Sequence, residues 1–286
     1  MNVFRGLISI VAVALSAEAG AAVLETVKVP SAAMGREIYV TVMLPDAYGR
    51  NPDVRYPVVY MLHGAGDNHT TFADEVGRKG VDEGGFIGVC PDGAGKSWWY
   101  DSPVNPKRKF ETFVAKELVA WVDSRYRTRA NKEGRAITGG SMGGHGACWL
   151  GFRHQGTFGA IGNIYGGVDV RRHKNSWKVW GLLDCLGDYE ANKDVWTRHM
   201  CVTEAAKLRN GDVNLLTVVG TGDFFLEDNR QLHRILTENK VAHLHLEIRG
   251  EDDRRSCHTH PFRKKAAAIV FRYFRNYFTT GRAGLE

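Results

Sequence analysis

The chain of 286 residues has no apolar run of transmembrane length, no long stretch of basic residues and only five cysteines. Each absence removes a class of protein. The N-terminal apolar stretch, residues 6–15, is shorter than the roughly 20 residues that span a bilayer. Lys and Arg number 38 against 32 Asp and Glu, a net charge of +6, yet no basic run reads as an arm for nucleic acid. Cys90, Cys148, Cys185, Cys201 and Cys257 follow none of the spacings of a Cys/His zinc site. Repeats, low-complexity tracts and linkers are also missing, so the length predicts one α/β domain rather than two. What is present is an ordinary globular mixture, 43% hydrophobic and 24% charged, with enough apolar surface to offset the entropy of ordering.

Residues 1–21 read as a secretory signal. Arg5 supplies the positive end, residues 6–15 the short apolar core, and Ala17-Glu18-Ala19 or Ala19-Gly20-Ala21 the small-residue cleavage site. The expectation is a secreted or periplasmic protein with no membrane anchor once the signal is removed. An odd number of cysteines in such a protein leaves at least one free thiol or an intermolecular bridge. Cys185 and Cys201, in one irregular stretch, are the expected disulfide, and Cys90 and Cys148, in apolar runs, are expected as small buried side chains.

After the signal, amphipathic strands are predicted at 25–29 and 36–44, and runs apolar on both faces at 56–62 and 86–90. Such runs suit strands buried between helices in a parallel sheet. A helix is predicted over 110–126, with Phe113, Leu118, Val119 and Val122 on one side. Then come a strand at 135–138, a helix from 142 to about 154, and a sixth strand at 160–165. Residues 168–210 show no clean period and read as an insertion over the sheet. A strand at 214–219, a helix at 228–239, a strand at 244–248 and a final helix over 262–278 complete a mostly parallel sheet flanked by helices.

Gly139-Gly140-Ser141-Met142-Gly143 matches G-x-S-x-G where a strand turns directly into a helix. Glycines are needed there because any Cβ would crowd the turn, and the strained elbow pushes the serine hydroxyl out at the top of the sheet. The helix N-terminus then aims its unpaired N–H groups at developing negative charge. A serine hydroxyl needs a base and an orienting carboxylate, which in this fold follow in the order Ser, acid, His. Asp223 closes an apolar strand and is the candidate acid, with Asp228 and Asp212 as alternatives. Asp228 is better placed to cap the following helix. His258 and His260, between the last strand and last helix, both qualify as the base, whereas His233, His243 and His245 fall on elements remote from the elbow. The backbone N–H groups of Met142 and Ala65 are the candidate oxyanion donors, with Gly64 second to Ala65. His63 is expected to brace its own loop.

The Met61–His69 segment (MLHGAGDNH), Cys90–Gly93 (CPDG), Phe110–Phe113 (FETF) and Gly139–Ala147 (GGSMGGHGA) together resemble the esterase D / putative esterase family of α/β-hydrolases. Its members include feruloyl and acetyl-xylan esterases, S-formylglutathione hydrolases, tributyrin esterases and mycolyltransferases. The resemblance runs over nearly the whole chain after the signal. It implies the α/β-hydrolase fold, Ser141 as nucleophile and the Asp223 position as acid. The family usually shows Gly-Gly-His-x-Trp at the histidine, where this chain reads Ser256-Cys257-His258-Thr259-His260. Placing His258 on the family histidine favours it as the base and leaves His260 where the family carries Trp, in the wall of the acyl pocket.

The expected activity is hydrolysis of short-chain acyl, acetyl or feruloyl esters, on small molecules or cell-wall polysaccharide, without metal or organic cofactor. Trp98, Trp99, Tyr100 and His260 are the expected substrate contacts, and Trp177, Trp180 and Trp196 of the insertion are further candidates for stacking. The alternatives are an acyltransferase of mycolyl type, a non-catalytic carbohydrate-binding scaffold, and a zinc hydrolase built on His243, His245, His258 and His260. For the last, no placed acid or third ligand accompanies the His-x-His pair.

Overall fold

The computed structural model describes residues 22–250, 257–282, 284 and 285. The proposed signal, residues 1–21, lies outside these. The chain opens with β1 (Val23–Ser31) and β2 (Arg36–Leu44), followed by β3 (Val58–Leu62), α1 (Glu75–Gly84) and β4 (Ile87–Pro91). A helix over 110–125 (α2) leads to β5 (Arg135–Gly140), α3 (Met142–Arg153) and β6 (Ala160–Ile164). Beyond β6, the 168–210 stretch folds into one-turn segments and three short helices, Leu182–Leu186, Lys193–Arg198 and Cys201–Ala205. β7 (Leu215–Gly220), α4 (Leu226–Glu238), β8 (Leu244–Ile248) and α5 (His260–Thr280) follow.

The strands form an α/β-hydrolase sheet in the order β1-β2-β4-β3-β5-β6-β7-β8. β2 runs antiparallel to both its neighbours and the rest are parallel. The inner strands read as unbroken apolar runs because both faces are covered. Val58, Tyr60 and Leu62 of β3 pack into one core with α2 and α3, while Val59 and Met61 pack into the other with α1 and α5. β3 lies between β4 and β5, so the order of the sheet reverses there. The loops after β3 and β5 open into the crevice where α/β sheets bind ligands.

Helices α1, α2 and α5 differ from the sequence expectation. α1 has no counterpart in it, because Gly77, Gly80 and Gly84 lower helix propensity. Gly80 is there for packing: a Cβ would sit 2.2 Å from the Phe271 ring of α5. α1 is instead announced by Asp74, whose side chain accepts from the Gly77 N–H at 3.0 Å. α2 is not uniform, since Phe113–Leu118 forms a π segment between two α-helical pieces. α5 begins at His260, two residues early, with Thr259 as its cap and Pro261 in its first turn.

The expected Cys185–Cys201 disulfide is corrected by the structure. All five cysteines are free and buried. Cys185 Sγ lies against the carbonyls of Lys96 and Ser97 and takes a hydrogen bond from Arg108, whereas Cys201 Sγ lies against His145. The two thiols therefore face different neighbours. Among the described residues no helix is long and apolar enough to cross a membrane.

Candidate active site

Ser141 stands between β5 and α3 with φ 59° and ψ −118°, a strained conformation for a residue with a Cβ. The glycines beside it make this turn possible. A Cβ on Gly143 would fall 1.9 Å from the Leu62 carbonyl oxygen, and one on Gly139 would fall 2.4 Å from the Gly143 backbone. The bend is tied down by the Ser141 N–H donating to the Ile164 carbonyl at 3.1 Å. No helical partner exists for the first N–H groups of α3, so the helix presents them at its start.

His258 Nε2 lies 2.8 Å from Ser141 Oγ, and its Nδ1 lies 2.9 Å from Asp223 Oδ2. The buried carboxylate of Asp223 thus accepts the Nδ1 proton, which leaves Nε2 as the acceptor facing the serine hydroxyl. The other oxygen of Asp223 is anchored by the Phe225 N–H at 2.8 Å. The imidazole is held between two rings, with Tyr165 at 4.5 Å and Phe224 at 4.2 Å between centroids. β5, β7 and the approach to α5 deliver these three side chains to one edge of the sheet.

The loop after β3 reaches the same point. A Cβ added at Gly64 would lie 3.5 Å from Ser141 Cβ. The N–H of Ala65 makes no hydrogen bond among the described residues and so remains available beside that of Met142. His63 braces the loop: Nδ1 donates to the Gly64 carbonyl at 2.8 Å, and Nε2 accepts the Gly93 N–H at 2.7 Å. Burial holds its pKa down, in keeping with a neutral ring committed on both nitrogens.

Trp98, Trp99 and Tyr100 are corrected from substrate contacts to core. All three are fully buried, because the chain turns inward there with φ 55° and 62° at the two tryptophans. Trp98 Nε1 donates to the Trp180 carbonyl and Tyr100 Oη to the His199 carbonyl, which fixes the insertion to the sheet. Trp177 and Trp196 are also buried and pack on each other at 4.5 Å. Trp180 is partly exposed and stacks on Phe224 at 5.8 Å and 22°. Phe224, 45% exposed, was not among the sequence candidates, although its place next to Asp223 was a usable signal. His260 stands at the start of α5 with its side chain 66% exposed and Nε2 3.9 Å from Asp67 Oδ1.

Asp228, the alternative acid, is buried on His173 of the insertion at 2.6 Å. It therefore pins the insertion to α4. Asp212 accepts the Arg209 N–H in a surface turn. His243 Nε2 meets His233 Nδ1 at 2.7 Å, and His245 stacks on His233 at 4.7 Å. The structure thus places His243 and His245 in a cluster with His233, while His258 is committed to Ser141 and Asp223.

Residues 31–284 match the sequence profile of the putative esterase family. An esterase of Mycobacterium tuberculosis is 37% identical over 158 residues, covering 54% of this chain and 34% of its own length. An endo-1,4-beta-xylanase/feruloyl esterase of Xylanibacter ruminicola is 30% identical over 223 residues, covering 72% of this chain and 30% of its own. The chain therefore spans about a third of the length of these curated relatives. In structure, a ferulic acid esterase superposes over 90% of this chain and 99% of its own, with a TM-score of 0.74 at 22% identity, a likeness of fold. With the profile running from the end of β1 to beyond α5, the chain belongs to the putative esterase family.

Proposed function

We propose that this protein is a serine carboxylic ester hydrolase working through an acyl-enzyme, with Ser141 as nucleophile, His258 as base and Asp223 as the orienting acid. The observation that carries the reading is the unbroken hydrogen-bond chain from Asp223 through His258 to a serine on a strained elbow. Ser141 Oγ attacks the ester carbonyl as its proton passes to His258 Nε2. The carbonyl oxygen, now an anion, takes the N–H groups of Met142 and Ala65. Collapse of the tetrahedral intermediate expels the alcohol, which receives the proton from His258. Water then repeats the sequence on the acyl-enzyme and releases the acid. No step calls for a metal or organic cofactor.

The wall beside His258 supports a substrate class. Phe224 and Trp180 offer an apolar, partly exposed face suited to a short acyl chain or a planar phenolic acid such as ferulate. His260, in place of a wider aromatic, leaves the rim open and polar, as an ester on a cell-wall polysaccharide would need. Residues 22–286 serve as one catalytic domain, and residues 1–21 direct it to the periplasm or the exterior. The test is a panel of p-nitrophenyl acetate, butyrate and octanoate, methyl ferulate and acetylated xylan, with wild type and Ser141→Ala. Hydrolysis present in wild type and absent in the variant is the expected result. No hydrolysis of any ester by folded wild type would overturn it.

A further inference from the structure

We propose that the buried turn at Trp98 and Trp99 is the positioning element of the oxyanion hole, holding both donors from behind. The idea rests on the reading of Ser141 as nucleophile given above. The donors belong to two separate segments, the start of α3 and the loop after β3, which pack together at Gly143 and Leu62 but share no hydrogen bond among the described residues. The Trp98–Trp99 turn touches both. The Trp98 N–H lies 3.2 Å from Met142 Sδ, so it steadies the residue whose own N–H faces the substrate oxygen. The Trp99 ring packs edge-on against His63 at 5.1 Å and 67°, and His63 in turn clamps Gly64, next to Ala65.

Three features set this turn apart from simple core filling. Both tryptophans adopt left-handed backbone angles, which bulky residues rarely do and which only a surrounding structure can impose. The Trp99 indole N–H is buried without a hydrogen-bond partner among the described residues, a loss that a phenylalanine would avoid. The ring is also gripped on its remaining sides. A Cβ on Gly146 of α3 would lie 2.4 Å from Trp99 Cδ1, and one on Gly93 would lie 2.8 Å from Cη2. The indole thus spans from α3 to His63 and backs both donor segments where they meet. Neither tryptophan touches the reacting atoms, so both are positioning residues.

Met142→Leu keeps the volume and the backbone N–H but removes the sulfur acceptor, and Trp99→Phe shortens the wedge. Each is measured for kcat and KM on p-nitrophenyl acetate, and for affinity toward phenylboronic acid, which forms a tetrahedral adduct on the serine. Acetate, the product, serves as the ground-state ligand. The expected result is a fall in kcat of about tenfold to a hundredfold. Boronate affinity falls in step, while KM and acetate inhibition stay within about twofold. Glu111→Gln, a buried change far from the elbow, controls for lost stability and leaves boronate affinity unchanged. Variants that melt earlier yet bind boronate like wild type would overturn the proposal. Should Trp99→Phe fail to fold, Met142→Leu decides alone. Hydrolysis surviving Ser141→Ala would instead overturn the serine reading on which this one stands.

Discussion

α3 carries a histidine–carboxylate constellation at each end, and the two do opposite things. At its N-terminus, His258 stands between one buried carboxylate and a serine hydroxyl, a line along which a proton can move. At its C-terminus, Glu111 is the sink for every donor around it: Trp149 Nε1 at 2.9 Å, Arg153 Nε at 2.9 Å and His154 Nε2 at 3.0 Å. Burial alone would raise the Glu111 pKa, but the hydrogen bonds from His154, Arg153 and Trp149 outweigh it and hold it at about 2. A cavity of about 550 Å³ opens on the Glu111 end, lined in part by Lys116, Arg153, Arg198 and Lys207, with none of Ser141, Asp223 and His258 in its wall. What separates the two ends is whether the hydrogen bonds stop on a saturated charge or lead on to a serine hydroxyl.

The sharpest way to break this contrast is to remove the proposed nucleophile or base. Ser141→Ala and His258→Ala should each cost about 10⁴-fold or more in kcat, with folding intact by circular dichroism. His260→Ala should change kcat by less than about twofold, since an exposed ring 3.9 Å from Asp67 has no contact with the triad. If His260→Ala abolished activity and His258→Ala did not, the assignment of the base would fall. At the other end, Glu111→Gln should leave kcat within about twofold and lower unfolding free energy by about 3 kcal/mol, because three donors lose a buried charge.

That second effect has a pH signature. Glu111 is depressed in the folded state, so its stabilisation is present above the unfolded value near 4.5 and is lost as pH falls toward about 2. Denaturant midpoints of wild type and Glu111→Gln should differ most above pH 4.5 and converge below it. A constant gap down to pH 2 would mean the carboxylate is not what stabilises that end. The smallest expected effect is on selectivity. Phe224→Ala should lower kcat/KM for methyl ferulate relative to p-nitrophenyl acetate by about tenfold, through loss of apolar wall. Equal losses on both esters would remove Phe224 from the acyl pocket.

Much of this was legible in the chain because its signals are local. Runs apolar on both faces marked β3 and β4, and the glycines around Ser141 marked a turn that only they can make. Asp223 was legible as a polar residue closing an apolar strand. α1 was not, since its central glycine, Gly80, answers to Phe271 nearly two hundred residues away. Trp98, Trp99 and Tyr100 misled for a related reason. Aromatic clusters look alike whether they face solvent or core, and here two left-handed residues turn them inward.

The sequence by itself determined the alternation of strands and helices and the glycine-flanked elbow at Ser141, because each depends on residues within a few positions of one another. Only the tertiary structure decided which histidine meets the serine, which aromatics stay accessible and which cysteines remain apart. Those outcomes depend on where segments far apart in the chain pack together, and hydrophobic burial, which drives that packing, is non-directional and does not mark which segments will meet.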